Sequence, residues 1–164
     1  MSKVIFLDID GVLNCRQTPN PRKFPYIVDA GLLRRFKTLV AQTKAQVVLT
    51  STWRYDPIGL CAARHHGIPF DDVIPDMPDS PRRDEILFWL RVHRDIDRYA
   101  VIDDEDDELD DLPLFQPSPS TGLTEDVAAA IQRYLDGETN AVMRASRLSR
   151  LWQNLEAILR GHRG

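Results

Sequence analysis

Two carboxylates spaced two apart, Asp8 and Asp10 in Asp8-Ile9-Asp10-Gly11, directly follow the apolar run Val4-Ile5-Phe6-Leu7. In such a pair one carboxylate can attack phosphorus, while the other serves as acid for the leaving oxygen and then as base for water. Gly11 is free to take a turn conformation that other residues resist. A second acidic pair, Asp103-Asp104, follows another apolar run and offers the oxygen ligands that a hard cation such as magnesium takes. Like charges crowded at one mouth repel unless a cation is present. Thr50 and Ser51, at the end of a third apolar run, carry hydroxyls that can hold a phosphate oxygen, and Arg82 can neutralise charge on a transferred group. Each feature alone has a plainer reading: a solvated turn, an ordinary strand end, an exposed first-turn arginine. The acidic residues 105–111 read as a hydrated loop, and the chain lacks the DxDxDG spacing of an EF-hand.

The elements between these residues decide whether they meet. Residues 4–7, 45–49 and 99–102 are short apolar runs that stop abruptly at polar residues, the pattern of strands buried on both faces of a parallel sheet. Asp29 can cap a helix to about Thr43, with Leu32, Leu33, Phe36, Leu39 and Val40 on one face. Asp56-Pro57 opens a second helix that Gly67 closes. Ser80 as cap and Pro81 in the first turn start a third, with Ile86, Leu87, Leu90 and Trp89 as its apolar face. Thr124 caps a fourth, from Glu125 to about Leu135. Residues 112–115 are a proline-flanked edge strand, and 14–26 a loop or small flap. Alternating strands and helices predict an α/β fold, a mainly parallel sheet with helices on both faces. Ligands of such sheets sit beyond the carboxyl ends of the strands, which brings Asp8/Asp10, Thr50/Ser51 and Asp103/Asp104 around one mouth.

A chain of 164 residues is long enough for one buried core. No apolar run approaches the roughly 20 residues needed to cross a bilayer, and Met1-Ser2-Lys3 leads into a strand rather than a signal peptide, so the expected location is the cytoplasm. Cys15 and Cys61 form no CxxC pair and have no zinc-like spacing, and the four histidines have no ligand-like arrangement. The net charge of −4 gives no general cationic field for nucleic acid, but five Arg against one Glu make residues 141–164 basic. A last amphipathic helix, about 140–160, carries Leu148, Leu151, Trp152, Leu155, Ile158 and Leu159 on one face.

DIDGVL resembles the DxDGxx first motif of haloacid dehalogenase-like (HAD) hydrolases, VVLTS the second, an Arg in SPRRDEIL the third and VIDD the fourth. The four occur in order within residues 3–135. The resemblance implies a Rossmann-like, capless HAD phosphatase domain over 1–137, with 138–164 as an added C-terminal helix. It implies Asp8 as nucleophile, Asp10 as general acid/base, and Mg2+ held by Asp8, the Asp10 backbone carbonyl and Asp104, with Asp103 beside them. Ser51 rather than Thr50 aligns with the phosphate-binding hydroxyl, because the second strand then has the usual length. Arg82 and Arg83 compete for the third motif, and the spacing of Arg82 to Glu85-Ile86 resembles the R-x-x-E-I pattern of one subgroup. That subgroup also shows S-x-W-R, present as Ser51-Thr52-Trp53-Arg54; it is the domain of the "Swiss Army knife" RNA-repair proteins. Arg54 is open to two readings, a loop anchor or a grip on a second phosphate.

An Asp two positions after the nucleophile favours phosphoester cleavage, which needs a proton for the leaving group. Neither 13–45 nor 68–80 has room for a large cap, so the site should be open and suit large substrates such as RNA or DNA termini. The expected partner is a phosphorylated substrate. A small-metabolite or nucleotide phosphatase, or a module that binds phosphorylated ends without turnover, are the alternatives.

Overall fold

The computed structural model describes residues 1–106 and 108–138. Five strands, β1 (Lys3–Leu7), β2 (Gln46–Leu49), β3 (Asp72–Val73), β4 (Arg98–Ile102) and β5 (Leu114–Phe115), form one sheet in the order β3-β2-β1-β4-β5. Every pairing is parallel, with β1 central. Four helices, α1 (Ala30–Thr43), α2 (Pro57–His65), α3 (Arg82–Val92) and α4 (Glu125–Leu135), follow β1, β2, β3 and β5 as the sequence predicts, while β4 leads into β5 through a loop without a helix.

Side chains alternate across the pleat, and the core divides accordingly. Ile5, Leu7, Val47, Leu49, Ala100 and Ile102 face a cluster that includes Leu33, Phe36 and Leu39 of α1, Ala63 of α2, and Ile131 and Leu135 of α4. Val4, Phe6, Val48 and Val101 face the other side, where Ile86 and Trp89 of α3 and the loop residues Leu109 and Leu112 cover them. Helices therefore lie on both faces, three on one and α3 on the other. Phe6 is fully buried, with Trp89 and Tyr99 edge-on at ring-centre distances of 5.4 and 5.9 Å.

The expected caps at Asp29, Asp56 and Thr124 accept from the backbone of Gly31 and Leu32, of Ile58, and of Val127 respectively. The start of α3 differs. Pro81 is extended and takes the cap position itself without a side-chain bond, which leaves Ser80 one residue too early to serve. Trp89, not Leu87 or Leu90, is at the centre of the buried face of α3, because its indole N–H reaches Asp72 at 2.7 Å. The edge strand predicted at 112–115 shortens to two residues. The helix expected over 140–160, and with it the boundary at 137/138, lies outside the described residues. No helix among the described residues is long and apolar enough to cross a membrane.

Phe6→Ala should lower the free energy of unfolding by about 3–5 kcal/mol, because a large buried ring is removed from between two aromatic neighbours. Urea denaturation followed by far-UV circular dichroism measures it, and a loss below about 1 kcal/mol would contradict this packing.

Candidate active site

Hydrogen bonding of the sheet continues past the strand ends and fixes the residues that follow them. Asp8 N donates to Ile102 O at 2.9 Å, Thr50 N to Leu7 O at 2.8 Å, and Asp103 N to Phe115 O at 3.3 Å. Three chain segments remote in sequence thus end side by side next to a cleft of about 440 Å³, which Asp8 and Asp103 line and which the segment after β2 reaches through Thr52, not through Thr50 or Ser51. Asp8, Asp10, Gly11, Asn14, Arg82, Asp103 and Asp104 are among its lining residues.

Asp8, Asp103 and Asp104 each present a carboxylate oxygen to one point, all within 4.8 Å of one another. Asp8 and Asp103 are buried and Asp104 half-buried. Burial pushes the Asp8 carboxyl from its ordinary 3.8 up to about 8; the charges of Asp103 and Asp10 add to the rise, and Arg82 opposes it. Burial also raises Asp103, against Arg82 and the Glu105 N–H, and raises Asp104, with help from Asp103 and Glu105. Arg82 answers part of this charge: its Nη1 pairs with Asp103 Oδ2 and lies 3.9 Å from Asp8 Oδ1. Three carboxylates against one guanidinium leave excess negative charge on all-oxygen donors, a set that suits a hard divalent cation.

Gly11 makes the cluster sterically feasible. Its φ is +70°, and a Cβ there would stand 2.2 Å from Asp104 Cγ. No other residue type lets the loop after β1 pass so close to the end of β4.

Asp10 is exposed, lines the same cleft and is not one of the three grouped carboxylates. Trp53 Nε1 donates to its Oδ2 at 2.9 Å and Asn14 Nδ2 to its Oδ1 at 2.8 Å. Asn14 is itself held by the backbone, accepting from Gly11 N at 3.0 Å and donating to Ile27 O at 3.0 Å. Trp53 is buried against the edge of Tyr26, at 4.9 Å between ring centres. Asn14 was legible only as a loop residue; its spacing of four from Asp10 across a glycine turn is the signal that could have singled it out.

The remaining sequence candidates divide. Arg82 reaches the cleft, whereas Arg83 turns outward onto Asp111 at 2.6 Å and Asp84 at 3.1 Å. Ser51 and Thr50 are both fully buried at the end of β2. Ser51 Oγ accepts from Trp53 N at 3.4 Å, and Thr50 Oγ1 is a buried hydroxyl with no hydrogen-bond partner among the described residues. Of the two roles open to Arg54, the structure supports the anchor. Its guanidinium is buried on Glu85 at 2.5 Å, the Tyr55 hydroxyl and the carbonyls of Thr50 and Ser51, and it does not line the cleft. A buried glutamate requires a paired cation, and this requirement turns Arg54 inward. Cys15 and Cys61 are free thiols, and His93 stacks on Trp89 rather than joining the site.

Comparison with known families matches residues 4–128, most of the chain, to the family described as the HAD domain in Swiss Army Knife RNA repair proteins. The chain belongs to this HAD family. Membership, together with the five-stranded parallel sheet, points to a hydrolase of phosphatase type with a phosphorylated substrate, and HAD domains typically use a divalent metal. No curated protein matches the chain.

Between about pH 4 and 8 the folded HAD domain holds more protons on Asp8, Asp103 and Asp104 than the unfolded chain does, so metal-free stability falls as pH rises through that window. In chelator, Tm by differential scanning fluorimetry should drop from pH 5 to pH 8, and Asp8→Asn should flatten the drop. Millimolar Mg2+ should raise Tm more at pH 8 than at pH 5. A Tm that climbs over this range would contradict the assigned repulsion. Gly11→Ala should weaken cation affinity by at least about tenfold in calorimetry while circular dichroism stays native, because the new methyl displaces Asp104.

Proposed function

We infer that the chain is a magnesium-dependent phosphomonoesterase that works through an aspartyl-phosphate on Asp8, with nucleic-acid ends as the favoured substrates. The observation that carries this reading is the meeting of Asp8, Asp103 and Asp104 within 4.8 Å, with Arg82 beside Asp8, at the strand ends of an HAD domain.

Asp8, the Asp10 backbone carbonyl and Asp104, with Asp103 beside them, would hold Mg2+, which when bound supplies charge neutralisation for both the carboxylates and the incoming phosphate. Asp8 needs to be anionic to attack. Burial, with the charges of Asp103 and Asp10, favours its protonated form, and a cation beside it would favour the anionic, attacking form. Arg82 and the hydroxyl of Ser51 or Thr50 hold the non-bridging phosphate oxygens; the Thr50 hydroxyl has no hydrogen-bond partner among the described residues.

An Asp8 oxygen forms the new bond to phosphorus as the ester oxygen leaves with a proton from Asp10. Asp10 then takes a proton from water, whose oxygen attacks the same phosphorus and returns Asp8 to a carboxylate while inorganic phosphate departs. Trp53 and Asn14 aim Asp10 for both transfers. The cleft has no large cap among the described residues, which favours an extended substrate such as an RNA or DNA terminus, in keeping with the family's description.

Asp8→Asn should cut phosphate release by at least about a thousandfold, and Asp10→Asn by about 10²–10⁴-fold, with folding retained. Malachite-green assays on 3′- and 5′-phosphorylated oligonucleotides, mononucleotides and sugar phosphates test both chemistry and substrate class. Full activity in Asp8→Asn would remove the nucleophile. Slower turnover on every oligonucleotide than on the small esters would favour a metabolite phosphatase, and binding without turnover a non-catalytic module.

A further inference from the structure

Five carboxylates line the cleft, those of Asp8, Asp10, Asp103, Asp104 and Glu105, against two arginines, Arg82 and Arg16. Arg82 is engaged by Asp103 and Asp8. Arg16 comes to the cleft from the flap, and its backbone is held in place. Its N–H donates to Pro119 O at 3.0 Å, and the turn around it closes through Thr18 N to Cys15 O at 2.9 Å and Cys15 N to Thr18 Oγ1 at 3.0 Å. Its side chain is exposed and forms no ion pair among the described residues, although the same cleft is rich in carboxylates. The tight turn therefore holds the Arg16 backbone at the cleft, and its side chain carries a charge that the carboxylates of the cleft do not pair.

The rest of the flap has the same sign. Residues 11–28 contain Arg16, Arg22 and Lys23 and no Asp or Glu. An acidic floor repels an anionic substrate until a cation neutralises it, so a rim guanidinium with no carboxylate of its own is where attraction begins. Arginine matches phosphate oxygens with two parallel N–H groups, a geometry lysine cannot reproduce. The phosphate attacked by Asp8 already has Arg82 beside it, and Arg16 comes within 4.0 Å of neither Asp8 nor any other described carboxylate.

We propose that Arg16 is a specificity-determining residue that binds a second phosphate group of the substrate, carried on the same molecule as the phosphate at Asp8. The assignment rests on the cleft being the phosphatase site inferred above. A phosphodiester of a nucleic-acid strand and the second phosphate of a small bisphosphate share the chemistry, and the two are separable by experiment.

Steady-state kinetics of the full chain with Mg2+ should compare p-nitrophenyl phosphate, a dinucleotide with a terminal phosphate, and a nucleoside 3′,5′-bisphosphate, for wild type, Arg16→Ala and Arg16→Lys. Arg16→Ala should reduce the preference for the second-phosphate substrates over p-nitrophenyl phosphate by about tenfold, mainly through KM, and Arg16→Lys should restore part of it. Loss confined to the dinucleotide identifies a strand phosphodiester, and loss confined to the bisphosphate a small ligand. An unchanged preference, or an equal loss on all three, overturns the assignment. Calorimetry on Asp8→Asn with and without Arg16→Ala, using the same two ligands, separates this inference from the catalytic one. Affinity that depends on Arg16 in a chain whose wild type shows no turnover keeps the subsite and discards the phosphatase. Turnover combined with affinity that ignores Arg16 does the reverse.

Discussion

Burial of the Asp8, Asp103 and Asp104 carboxyls side by side is the constraint to which the rest of the molecule is fitted. Burial makes their charged forms costly and neighbouring carboxylates add to the cost, so left to themselves these side chains would separate or take up protons. The sheet denies them separation, because Asp8 and Asp103 are each the residue at which the ladder makes its last bond. Gly11 removes the atom that would otherwise push Asp104 aside. The arrangement is costly as it stands, and a bound cation would offset that cost, which is how a binding site differs from a well-packed core.

Behind the cluster, one buried ion pair links two elements that both serve it. Arg54, just past the end of β2, grips Glu85, which stands one turn beyond Arg82 on α3. Glu85 also accepts from Met77 N at 3.0 Å and so fastens the approach to α3 as well. The orientation of α3, and with it the reach of Arg82 toward Asp103, is thereby coupled to the loop that carries Ser51 and Thr50. Desolvation makes such a pair a weak source of net stability, yet loss of either partner leaves a buried charge.

Much of this was legible in the sequence where a local rule decides the outcome. Apolar runs that stop at Asp8, Thr50 and Asp103 marked strand ends, and parallel topology does the rest. Asp29, Asp56 and Thr124 cap as expected, since a cap bond spans only two or three residues. Contacts across the fold were less readable. Nothing in the sequence says that the Trp53 indole reaches Asp10 from 43 residues away, or that Arg54 will turn from phosphate toward Glu85. Ser80 lost the cap of α3 because Pro81 stayed extended, a choice that adjoining residues leave open.

At both margins the sheet narrows to strands of two residues, β3 and β5, around three central strands of four or five. A margin this short exposes few unpaired amides and carbonyls, and offers another polypeptide almost no template on which to add a strand. The ends of β1, β2 and β4, which carry Asp8, Thr50 and Asp103, therefore lie inside a sheet guarded against edge-to-edge aggregation, a protection built from brevity rather than from charge.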